Sequence, residues 1–195
     1  MKVITLYQTL KDKDYLKVET TGPFPCRWEN TWLGDGFYFW QEFIELAHWW
    51  GETHRKGNYI ICQAECDFDE FKCLDLVGEM THVRLFQNAI QIMRSKGKIT
   101  ANTTVSRVIN FMKGEFDSFI YEAIRVYGIN SISPKNPNSA EYSDRFLFEI
   151  NKSQYLDALP AVQLCLFTKQ SLNLRNYKIV YPEHYREDYG DNYVI

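Results

Sequence analysis

The chain has 195 residues, 45% of them hydrophobic, which suits one domain with a sizeable core. Its 25 acidic residues outnumber 22 basic ones, and the net charge of -3 argues against the basic face that non-specific nucleic-acid binding needs. Aromatics reach 16%, and so many rings either fill the core or line a recognition surface.

The opening MKVITLYQTLKDKDYL interrupts its apolar run with charge, unlike a signal or transit peptide, and no later segment has transmembrane length. The expected compartment is the cytoplasm, where Cys26, Cys62, Cys66, Cys73 and Cys165 stay reduced. KVITLYQT predicts a strand, and TTGPFPCRWENTWLGDG after it a long loop. FYFW predicts a short strand, after which Phe43, Ile44, Ala47 and Trp50 share one helical face. Lys56-Gly57-Asn58 breaks that helix, and YIICQAEC resumes as a buried strand. The spacing of Cys62, Cys66 and Cys73 matches no usual zinc pairing, so small buried thiols on strands are expected and no metal.

Val83, Phe86, Ile90 and Met93 recur at helical spacing between Glu79 and Lys96, with Gly97 as the stop. A second helix begins after Asn102 and turns Val105, Val108, Ile109 and Met112 inward. YEAIRVY predicts a strand, SISPKNPNSAEYSD a mobile loop, and RFLFEI, VQLCLF and YKIVYP three further strands. The C-terminal YPEHYREDYGDNYVI alternates tyrosine with charge, as a tail or as a lid. Strands at both ends with helices between them predict an α+β fold, a single domain over residues 1–195.

The segment TWLGDGFYFWQEFIELAHWWGETH concentrates rings behind a Gly-x-Gly turn. Gly34 and Gly36 suit a tight turn whose aromatics alternate between core and surface, or a backbone that comes close to a ligand. Together with LYQT at Leu6 to Thr9 and VQLCLFTKQSL near the end, this segment resembles the ADP-ribosyltransferase fold, and most closely its small bacterial members. In those relatives the three stretches read like YHG, GxGFYxT and QIxFxTxxAL.

The resemblance implies split antiparallel β-sheets with helices packed on them around a cleft for NAD, which is the substrate. It places Tyr38 against nicotinamide, a flat ring that an aromatic face holds by stacking. It puts Gln8 at the adjoining ribose, with Tyr7, Thr9 and Gly36 around the ring. Gln163 takes the place of the carboxylate that transferring members use to steady charge at the anomeric carbon. Glu141 and Glu149 are carboxylates close to it in sequence. Arg27 and Arg125 are arginines able to grip a diphosphate, or to pair at the surface.

The implied activity is transfer of ADP-ribose to a macromolecular acceptor, protein or nucleic acid, in a toxin or phage-conflict setting with a protein partner such as an antitoxin. The alternative is a descendant of the fold that binds a nucleotide or a protein segment without catalysis. Exposed aromatics also fit a plain interaction module. His48, beside Trp49 and Trp50 at a helix end, reads as structural, and His54, His82 and His184 show no metal or triad spacing.

Overall fold

The longest alternating segments of the chain build the centre of the sheet. In a computed structural model, which describes residues 2–13, 17–27, 31–128 and 145–185, β1 (Lys2–Lys11) pairs antiparallel with β3 (Tyr59–Phe68) from Lys2↔Phe68 to Lys11↔Tyr59. The short α1 (Val18–Thr21) follows β1, and the aromatic β2 (Phe37–Gln41) leads into α2 (Ile44–Arg55). Lys56 and Gly57 end α2 with φ values of 55° and 79°, where the sequence predicts a break.

Beyond β3 come β4 (Cys73–Asp75), α3 (Met80–Ser95), α4 (Val105–Glu115) and β5 (Ala123–Tyr127). Glu79 caps α3 by accepting from the Thr81 N–H, and Thr104 caps α4 by accepting from the Arg107 N–H. The last elements are β6 (Arg145–Leu147), β7 (Tyr155–Asp157), β8 (Val162–Leu166), a 3-10 turn at Ser171–Asn173 and β9 (Arg175–Tyr181).

The protein is α+β. Seven strands form one mixed sheet in the order β4-β5-β8-β2-β1-β3-β9, with β4 and β5 parallel and the other neighbours antiparallel; β6 and β7 make a separate ribbon. The expected division into split antiparallel sheets is therefore corrected to a continuous sheet. Its weakest line is the β1–β2 seam, where the register holds only Leu6↔Gln41 and Tyr7↔Trp40. On one side of the seam β1, β3 and β9 pair at length, and on the other β2, β8 and β5 do so.

Period-two alternation separates the cores. Ile4, Leu6, Phe39, Leu164 and Leu166 form a buried cluster on one face. The opposite parity carries Leu74, Ile124, Cys165 and the Tyr38 ring into a cluster with α3 and α4, and Trp40, Tyr59 and Ile61 into another with α2. Cys62, Cys66, Cys73 and Cys165 are buried on their strands, and burial pushes the thiols of Cys62, Cys66 and Cys165 up to about 12.

In α4 the inward stripe is Val108, Ile109, Phe111 and Met112, while Val105 is 39% exposed. That corrects the expected stripe: the larger Phe111 ring is buried instead and covers more apolar area than a valine in the first turn. Arg125 lies inside the structure: Nη1 donates to both Asp75 carboxylate oxygens at 3.1 Å and Nε to Gln41 Oε1 at 2.7 Å. It therefore ties β5, β4 and β2 together. The mobile loop expected in SISPKNPNSAEYSD, with Glu141, and the last ten residues of the tail lie outside the described residues.

Gly36 bridges to Cys26 and lies against β8, where a Cβ would stand 2.5 Å from Cys165 Sγ and 2.7 Å from the Leu166 carbonyl oxygen. Gly36→Ala is expected to destabilise the fold by about 1–3 kcal/mol, read as a lower urea midpoint with unchanged m. An unchanged midpoint would show that the turn can move away from β8.

Candidate functional site

The seam makes the site. After Tyr7↔Trp40 the ladder between β1 and β2 stops, and a cavity of about 420 Å³ opens there. Gln8, Thr9 and Leu10 of β1 and Tyr38, Phe39 and Trp40 of β2 line it. Successive residues of a strand face opposite ways, so a cavity bordered by three in a row from each strand lies between their edges. Backbone groups that would have completed the ladder border this gap.

Gln8 holds the gap in shape. Its Nε2 donates to the Phe24 carbonyl at 2.9 Å and to the Tyr38 carbonyl at 3.4 Å, while Oε1 accepts from the Phe24 N–H at 3.0 Å and the Tyr177 hydroxyl at 2.8 Å. The amide thus replaces a missing peptide neighbour and straps the loop at Phe24 across the cavity. All its hydrogen-bonding groups are used, so Gln8 shapes the cavity and has no free one for a ribose hydroxyl. Thr9 likewise donates its hydroxyl to the Ala47 carbonyl at 2.8 Å, fastening α2 to β1.

Gln163 is different. The register runs Val126↔Gln163, Trp40↔Gln163 and Tyr7↔Trp40, one row across four strands. Gln163 lines the cavity and is only 8% exposed, yet its buried Oε1 has no hydrogen-bond partner among the described residues. An acceptor left in that state costs about 1–3 kcal/mol. A ligand carrying an N–H or O–H would satisfy it.

Much of the remaining wall is aromatic. Trp50 of α2 meets Trp32 edge-on at 6.1 Å between centroids, lies tilted against Trp40 at 6.0 Å and stacks on His54 at 3.7 Å. Trp32, Trp50, His54 and Arg55 all line the cavity, although none stands out as a site residue in sequence. One signal was available: Trp50 and His54 are four residues apart and share a helical face. His48 does have a structural role, with Nδ1 2.9 Å from the Tyr59 hydroxyl, and burial lowers its pKa.

Tyr38 joins the cavity to its neighbour. Tyr38 lines the cavity, while its hydroxyl donates to the Gly34 carbonyl at 2.7 Å and accepts from the Leu33 N–H at 2.8 Å. Burial first, and the Cys165 thiol second, raise the phenol's pKa, so it stays a neutral donor. Gly34 borders a second pocket, of about 380 Å³, with Arg27, Asp35, Ser106, Asn110 and Lys113; Thr31 lines both spaces. Burial lowers the Lys113 pKa, and its ammonium lies 3.3 Å from the centre of the Phe167 ring.

Of the residues singled out in sequence, Gln8, Thr9, Tyr38 and Gln163 meet at one cavity and Arg27 at the pocket beside it. Gln8 and Gln163 lie on strands that flank β2 instead of adjoining each other. Tyr7 is not in the lining: it packs in the Trp40 cluster under α2. Gly36 is not there either, since its position is set by the approach to β8. Glu149 is exposed in the turn after β6 and borders neither space.

No family model matches the chain, and no solved structure matches it. It is similar to an uncharacterised protein of Methanocaldococcus jannaschii, 23% identical over an alignment of 211 positions that covers 96% of this chain and 97% of the other. Among the described residues no helix is long and apolar enough to cross a membrane, and no group of three His, Cys, Asp or Glu side chains is placed to hold a metal ion.

Replacing Gln8 by Ala removes the strap on Phe24. Gln8→Ala is expected to cost about 2–4 kcal/mol in urea unfolding and to speed the reaction of the half-buried Cys26 thiol with a disulfide reagent. If Cys26 reacts at the wild-type rate, Gln8 does not hold the loop.

Proposed function

We propose that the cavity receives the nicotinamide end of NAD and that the protein transfers ADP-ribose from NAD to a macromolecular acceptor, protein or nucleic acid. The observation that carries this reading is the Gln163 acceptor, buried and unpartnered in a cavity whose lining includes Trp32, Trp40, Trp50 and His54. A carboxamide-bearing aromatic ring matches both halves of that wall: its face stacks and its N–H donates. The motif resemblance supports the same ligand, since it pointed to Tyr38 and Gln163 separately and the two line one cavity.

In the reaction the bond from the ribose C1′ to the nicotinamide nitrogen breaks with its electron pair leaving on nicotinamide. An acceptor nucleophile then bonds to C1′ and gives up a proton. Positive charge develops on the ribose between these events, and a protein group aimed there lowers the barrier. Gln163 offers the negative end of an amide dipole, weaker than a carboxylate.

That weakness favours a second reading, in which the site binds the nucleotide without turning it over. No Asp or Glu is present in the cavity lining among the described residues.

Binding and turnover separate the two. At a hundredfold excess over Kd, NAD is expected to raise Tm by about 5–10 °C. Release of nicotinamide with Gln163→Glu at least as fast as wild type, and with Gln163→Ala slower, supports transfer. Stabilisation without release supports binding alone, and no shift in Tm removes NAD from the account.

A further inference from the structure

The second pocket has a chemistry of its own. Arg27 and Lys113 bring two cations to its wall, and Asp35 brings one carboxylate. Neither cation takes part in an ion pair among the described residues, whereas Arg125 and Arg175 are both paired with carboxylates. Ser106, Asn110 and Lys113 succeed one another along α4 at spacings of four and three, which puts a hydroxyl, an amide and an ammonium on one helical face. Ser106 belongs to the first turn, where the helix dipole favours negative charge.

We infer that this pocket binds a phosphate or diphosphate group, with Lys113 and Arg27 as its cations and Ser106 and Asn110 as neutral donors. The group belongs to the ligand whose aromatic end fills the neighbouring cavity, a placement that rests on the nucleotide reading above. Thr31 lines both spaces, and the Tyr38 hydroxyl fastens the turn between them, so one molecule with a ring at one end and phosphates further along spans the two. The geometry divides the work: rings and Gln163 recognise the base, and α4 with the Arg27 loop recognises charge. A neutral ligand of the same ring would use only the first half.

The test uses inorganic pyrophosphate, NAD and nicotinamide riboside as probes, followed by quenching of tryptophan fluorescence and by calorimetry. The proteins are wild type, Lys113→Met and Arg27→Gln. Methionine keeps an apolar stem over Phe167, and Arg27 is exposed, so both variants should fold as judged by Tm. Each is expected to weaken pyrophosphate and NAD by about tenfold or more and to leave nicotinamide riboside unchanged. Pyrophosphate that fails to bind, or binds equally to all three proteins, overturns the inference even if nicotinamide riboside binds. Pyrophosphate binding that depends on Lys113, with neither NAD nor nicotinamide riboside bound, keeps the phosphate site and removes the nicotinamide reading.

Discussion

β1 and β2 share only the pairs Leu6↔Gln41 and Tyr7↔Trp40 at the middle of a seven-stranded sheet, and the site depends on that short seam. Had the ladder continued through Gln8, the two strand edges would have closed on each other and left no cavity. The loop at Phe24 takes the place of the missing pairs, held by an amide that imitates a peptide at both its donor and acceptor ends. A side chain that supplies ladder-like bonds can hold two strands apart where a backbone would draw them together. The gap is therefore built into the sheet.

Two spaces adjoin at Thr31. The tryptophans of β2 and α2, with Trp32 of the loop, supply flat faces to the gap, while Lys113 of α4 and Arg27 border the pocket beside it. The gap also holds one unpartnered acceptor, Gln163 Oε1. Proteins rarely leave a buried acceptor without a partner, and those that do carry it as strain or as a waiting contact. Its position on the aromatic cavity favours the waiting contact.

Much of the fold was legible because period two and period 3.6 are strong signals. β1, α2, β3, α3 and α4 match the predicted segments, and Gly57 after α2 and Gly97 after α3 have the positive φ that glycine permits. β4 was not legible, since three residues cannot show alternation and Asp75 hides its strand character by pairing with Arg125. The continuous sheet was not legible either, because strand order depends on contacts between residues far apart in the chain. The motifs pointed to Tyr38 and Gln163, and both line the cavity. Trp50 and His54 were missed, because a ring on a helix reads as core until the structure shows space beside it. Gln8 was found for one role and has another, since sequence shows an amide's chemistry but not which groups occupy it.

The most direct measurement is a crystal structure of the protein soaked with NAD. The account predicts a nicotinamide ring in the β1–β2 gap, its face on the Tyr38 or Trp50 ring and a ligand N–H or O–H within 3.2 Å of Gln163 Oε1, with the diphosphate towards Lys113. Density for NAD elsewhere, or a gap closed by pairing of Gln8 to Leu10 with Phe37 to Phe39, would contradict it.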